Sequence, residues 1–164
     1  MNDLEQIAIQ VLAEETGATN AKVNPVHDEL ILDDDDRRTG VHIHYAYPQW
    51  VVARVGHGSS TRKKLDPDSI RAAVREARKN DEALTLATAL IREGGRFTPV
   101  DNLFSNSVCL RPSDNPHGAR FWVWVAFYGS SLVVTNGVPW DGPLVEEVKS
   151  ILQVAREEGM KEWA

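Results

Sequence analysis

His42, His44 and His57 are the side chains of this chain best suited to chemistry. In "VHIHYAYPQW", residues 41–50, alternate strand positions send two imidazoles to one side, and His57 could add a third nitrogen. Zinc takes three or four such ligands in a near-tetrahedral shell, so the three histidines define a metal reading. No glutamate or aspartate follows the pair at a familiar spacing, and an HxH arrangement with a downstream glutamate is absent. The competing account is two solvated histidines on the outer face of a strand. A second chemistry is anion binding. "GHGSSTRKK" supplies glycines, hydroxyls and the cations Arg62, Lys63 and Lys64, with Arg54 close before them. It does not fit the G-x-x-x-x-G-K-[ST] loop, and its plain reading is a solvated connector. Combined, these residues describe a small metal- or phosphate-dependent enzyme, the alternative reading of the chain.

Other catalytic inventories are weaker. Cys109 lies inside the apolar stretch "SVCLRP" rather than at a strand-to-helix elbow, "DNPHG" around His117 reads as a turn, and Ser59 near His57 lacks a signature. Asp33 to Asp36 could hold a hard cation, but "DDDDRRTG" lacks the alternating acids, central glycine and closing glutamate of a calcium loop. Arg37 and Arg38 neutralise it at once, so a charged hairpin tip is the plain reading. No cofactor is expected.

The aromatic set is the larger anomaly. Tyr45, Tyr47, Trp50, Trp122, Trp124, Tyr128, Trp140 and Trp163 exceed what one buried face comfortably holds. Tryptophan and tyrosine bury much area while keeping a polar handle, which makes them anchors of protein interfaces. Tyr47, Trp50, Trp122, Trp124, Tyr128 and Trp163 are therefore the expected partner-binding residues; the opposing account covers the second sheet face with a helix.

The elements that position these groups follow from periodicity. Leu4, Ile7, Val11 and Leu12 recur at helical spacing and Gly17 supplies a stop, which predicts a helix over about residues 4–16. "ATNAKVNPV" reads as turn-rich, "ELILDD" as a strand, and the next strand starts at Val41. Val41, Ile43, Tyr45, Tyr47, Val51, Ala53 and Val55 share one apolar face if the stretch is a single bent strand. A hairpin with a three-residue loop at 47–49 would pair Val41 with Val55, Ile43 with Ala53 and Tyr45 with Val51. Both place His42, His44, Trp50, Val52 and Arg54 on the other face. "GHGSSTRKK" is then a loop. Asp66-Pro67 starts a helix that Asn80-Asp81 interrupts, giving two helices or one kinked helix, and "GG" closes. "SVCLRP", "RFWVWVAFY" and "LVVTNG" form a three-stranded stretch, and Leu144, Val148, Ile151, Leu152 and Ala155 mark a terminal helix.

Composition bounds the rest. At 164 residues, 42% hydrophobic and 26% charged, the chain fits one globular domain, 1–164, with one core. No apolar run approaches a membrane span, the N-terminus lacks a signal pattern, and a lone cysteine fits a reducing compartment, so a cytoplasmic protein without membrane contact is expected. The net charge of −6 argues against duplex nucleic acid as a partner. It hides a segregation: residues 1–36 carry ten acids against Lys22 alone, whereas 37–64 carry six cations and no acid. The segments can steer partners or cancel each other by folding together. The element order predicts an α+β two-layer sandwich with a mainly antiparallel sheet of five to six strands and three to four helices.

In the order of "LEQIAIQVLAEETG", "ELILDDDDRRTGVHIHYAYPQWVVARV", "DPDSIRAAVREARKNDEALTLATALIREGG", "RFWVWVAFYGSSLVVTNG" and "LVEEVKSILQVAREEG", the chain resembles the type III secretion chaperone-like fold. The resemblance covers most of the chain and rests on element order and length. It implies a homodimer that binds segments of partner proteins on apolar patches. The favoured expectation is a cytoplasmic protein-interaction module, a chaperone, adaptor or inhibitor, holding a protein partner through an aromatic sheet face and an acidic surface.

Overall fold

The computed structural model describes residues 3–26, 28–34, 38–100, 104–118, 120–128, 131–136, 150, 153, 154 and 157, with backbone alone at 25–26, 121, 128 and 131–136. The chain divides into two compact units, residues 1–81 and 82–164. The α+β class holds, but two antiparallel sheets of five and four strands replace the single expected sheet. Two helices, α1 (Asp3–Thr16) and α2 (Pro67–Gly94), have described bounds. Helical backbone at Ser150, Gln153, Val154 and Glu157 falls in the predicted terminal helix, the rest of which lies outside the described residues. No helix among the described residues is long and apolar enough to cross a membrane.

In the first unit, α1 is followed by β1 (Lys22–Val26), β2 (Glu29–Asp34), β3 (Thr39–His44), β4 (Trp50–Val55) and β5 (Gly58–Arg62), each paired with the next. Alternation decides which side chains are covered. Leu30, Leu32, Val41, Ile43, Val51, Ala53 and Val55 point to one side and are buried with Ala8, Val11 and Leu12 of α1 and Ile70, Ala73, Val74 and Ala77 of α2. Each of the larger aliphatic chains contributes about 1.5–3 kcal/mol by leaving water. The predicted face parity is correct for these residues. The register is not: Val41 pairs with Ala53 and Ile43 with Val51, shifted by two residues from the pairs that the three-residue loop required. The connection is the five-residue stretch 45–49, with a cis Tyr47–Pro48 bond. Tyr45 stays half-buried against the core, but Tyr47 is 96% exposed at the loop, not on the core face.

Two further expectations are corrected. "ATNAKVNPV" contains a strand, β1, whose edge position suits Pro25. "GHGSSTRKK" is no loop: Gly56 and His57 make a two-residue turn and β5 follows. Its alternation is hidden because its inward positions are Gly58 and Ser60, which no hydrophobicity pattern reports. β5 is held to α2 by polar contacts. Asn80 Nδ2 donates to the Ser59 carbonyl at 2.8 Å, the His57 N–H donates to Asp81 Oδ1 at 3.0 Å, and Ser60 Oγ donates to Glu76 at 2.7 Å. The Asn80-Asp81 pair thus does not interrupt the helix. α2 runs unbroken for 28 residues, started by Asp66 Oδ1 accepting the Ser69 N–H at 2.7 Å.

In the second unit, β6 (Phe97–Val100), β7 (Ser107–Pro112), β8 (Phe121–Tyr128) and β9 (Ser131–Asn136) pair in sequence. Phe97, Val108, Leu110, Val123, Val125 and Phe127 are buried with Ala83, Leu84, Ala87 and Ile91 of α2. Instead of one core, the described residues hold two buried clusters, one per sheet.

Candidate functional site

The outer face of the first sheet brings together residues separated in sequence. Glu29 pairs with His44, and His44 pairs with Trp50, so the three side chains stand in one row across β2, β3 and β4. His42 lies in the next row, opposite Ile31 and Val52 and diagonal to both Glu29 and Trp50. His44 Nδ1 stands 3.2 Å from Glu29 Oε1 as a hydrogen bond, and His42 Nε2 lies 3.3 Å from Oε2. The second contact is close but not aligned as a hydrogen bond, and His42 Nε2 is buried without another polar partner. Trp50 closes the cluster, stacked on His44 at 5.0 Å and edge-on to His42 at 4.7 Å. The His44 hydrogen bond holds the Glu29 carboxyl below its ordinary value, against an opposing effect of partial burial.

This arrangement can hold a proton between a carboxylate and two imidazoles. It does not recruit His57, which sits in the β4–β5 turn, five residues beyond Val52, the partner of His42. Five strand residues correspond to about 16 Å. Among the described residues, no three His, Cys, Asp or Glu side chains form a group that could hold a metal ion. The expected anion set is also dispersed. Arg54 pairs with Asp33 at 3.4 Å, Arg62 with Glu76, and Lys64 with Asp66 at 3.1 Å, while Lys63 is exposed. The acidic segment meets the basic one through Asp33 and Arg54, and other pairs reach outside both segments. Besides Asp33 with Arg54, Glu14 and Glu15 of α1 meet Arg71, Arg75 and Arg78 of α2.

The aromatic set is split between the two sheets. Tyr47 and Trp50 belong to the first unit, as described above. Trp122 and Trp124 lie on β8 and point away from the second core, because Val123, Val125 and Phe127 take the inward positions. Trp122 is opposite Cys109 and Trp124 is opposite Ser107, both buried on that outer side. Trp124 is 40% exposed, and Phe104, 56% exposed, meets the Trp122 ring edge-on at 6.0 Å. Phe104 is placed by the turn before β7, where Asn106 has φ 58° and Ser107 Oγ donates to the Phe104 carbonyl at 3.1 Å. Burial pushes the Cys109 thiol up, as befits a structural cysteine. For Tyr128 the strand position alone is described, and Trp140 and Trp163 lie outside the described residues.

Two residues escaped the sequence reading. Glu29 alternates with Leu30 and Leu32, so its outward direction could be read, but its meeting with His44 depends on the β2–β3 register. Phe104 sits in an irregular stretch where no periodicity applies. Compared with protein-family models, curated proteins and solved structures, the chain finds no match.

Proposed function

We propose that the chain is a cytoplasmic protein-interaction module, a chaperone, adaptor or inhibitor, that holds a protein partner on the aromatic outer face of its second sheet. The observation that supports this most directly is Trp124, 40% exposed on a strand whose opposite face is core. With Trp122 and Phe104 beside it, the face offers rigid apolar area at low entropic cost, the property of interface anchors. The resemblance in element order to type III secretion chaperone-like domains points the same way. The acidic segment contributes less than its composition promises, since Glu14, Glu15 and Asp33 are engaged by arginines of the same chain.

The test is capture from an extract of the host with the whole protein as bait. Trp122→Ala with Trp124→Ala loses the specifically retained protein while circular dichroism and the melting transition stay those of a folded chain. Equal capture by the folded double variant removes the face from the reading.

A further inference from the structure

The outer face that carries Trp122 and Trp124 ends in a pair of arginines. The ladder of β7 and β8 runs from Ser107–Trp124 through Cys109–Trp122 to Leu110–Phe121, and the next positions outward are Arg111 and Arg120. By alternation Arg111 shares the face of Cys109 and Trp122 rather than that of Leu110, and Thr98 on β6 stands opposite it. Both guanidinium charges act on the Cys109 thiol, though burial outweighs them there. Like charges set opposite each other at the end of a ladder oppose folding unless an anion relieves them.

Among the described residues the relief is incomplete. Among the described residues no carboxylate pairs with Arg111 or Arg120, whereas Arg54, Arg62, Arg71, Arg75 and Arg78 each meet one. Arg111 Nη1 donates to the Pro116 carbonyl at 2.9 Å and its buried Nε has no partner; Arg120 is exposed. In a protein of net charge −6 this is a local positive end to an aromatic strip.

We infer that the partner held on this face is a polypeptide segment that places an acidic side chain against Arg111 and Arg120 beside an apolar side chain on Trp122 and Trp124. The inference rests on the interaction reading above. The aromatic strip supplies the apolar contact, and the arginine pair fixes direction and selects charge, since guanidinium groups bind carboxylates in a forked geometry.

The probe is a library of short random peptides displayed on phage and selected on the whole protein. Enrichment of acidic residues next to an apolar one is expected. Arg111→Glu with Arg120→Glu then weakens the selected peptides about tenfold or more and shifts a fresh selection toward basic residues. Arg120→Glu alone, at an exposed position, gives the same direction should the Arg111 change disturb its loop. Enriched peptides that need Trp122 and Trp124 but ignore both arginines overturn the acidic partner and leave the aromatic face standing. Enrichment indifferent to Trp122→Ala and Trp124→Ala, or none at all, overturns both. A dimer in sedimentation that the arginine reversals dissociate makes a second copy the occupant, and preferred binding of a single-stranded oligonucleotide makes it a nucleic acid; either result overturns the inference.

Discussion

Glu29 stands directly across the β2–β3 ladder from His44, with Oε1 3.2 Å from Nδ1, although the two residues are fifteen apart in the chain. The carboxylate therefore lies under both imidazoles of the 42–44 pair, and Trp50 closes the opposite side. The histidines of "VHIHYAYPQW" share one carboxylate and pack against one indole. They form the polar lining of a small aromatic cluster.

Glu29→Gln separates the contribution of that carboxylate. Its folded value is held below the ordinary 4.5, so its stabilisation is present above that pH and is lost as pH falls through the lowered value. The gap in melting temperature between the original protein and Glu29→Gln is thus widest above pH 4.5 and closes at lower pH. Glu14, lowered first by its Gln10 hydrogen bond, and Asp66, lowered first by the Ser69 N–H, titrate in both proteins and cancel in the difference. A gap that stays constant down to acid denaturation contradicts the assignment.

Asn80→Ala removes the side-chain bond from α2 to the Ser59 carbonyl at a position only 2% exposed. A buried hydrogen bond lost in this way costs about 1–3 kcal/mol. Urea unfolding reads it as a lower midpoint, and a change below the measurement error shows that β5 is held by its other contacts.

Where hydrophobic period decides, the sequence was enough. α1, β2, β3, β4 and the inward stripes of α2 follow from leucines, isoleucines and valines at spacings of two or of three to four. Where polar groups or close backbone approach decide, it was not. β5 turns Gly58 and Ser60 inward, and Asn80-Asp81 looks like a helix break until Asn80 is known to donate to the Ser59 carbonyl and Asp81 to accept the His57 N–H. The site divides the same way. Alternation separates Trp122 and Trp124 from Val123, Val125 and Phe127, but both faces are apolar and it takes the packing on α2 to show which is inward, whereas Glu29 and Phe104 come into place through register and turn geometry, neither of which has a periodic signal.

Gly58→Ala tests the close approach of β5 to α2. A Cβ at this position would overlap the Ala77 carbonyl and crowd the Asn80-Asp81 backbone, so strand or helix must shift. A cost of about 1–3 kcal/mol follows for overpacking a fitted site. Gly95→Ala is the matched control: its Cβ meets nothing within 4 Å and only its φ of 75° opposes the change, worth about 1–2 kcal/mol. A loss at Gly58 well below about 1 kcal/mol by urea unfolding contradicts the packing.

The pairing of α1 with α2 yields the last expectation. Glu15, its side chain 9% exposed, takes Arg75 at 2.7 Å, Arg78 at 3.3 Å and Arg71 at 3.5 Å. Glu14, 45% exposed, takes one of these arginines, Arg71, at 2.9 Å, beside its hydrogen bond from Gln10. Removing a carboxylate that three guanidinium groups share leaves uncompensated positive charge in a partly covered site, so Glu15→Gln loses about 2–3 kcal/mol. Glu14→Gln removes one solvated pair and loses less than Glu15→Gln does, a loss that salt screens further. Unfolding midpoints at low and at high salt distinguish the two. If the variants lose equal stability at both, the three arginines do not depend on Glu15, and the helices are held by Val11, Leu12, Val74 and Ala77 without electrostatic help.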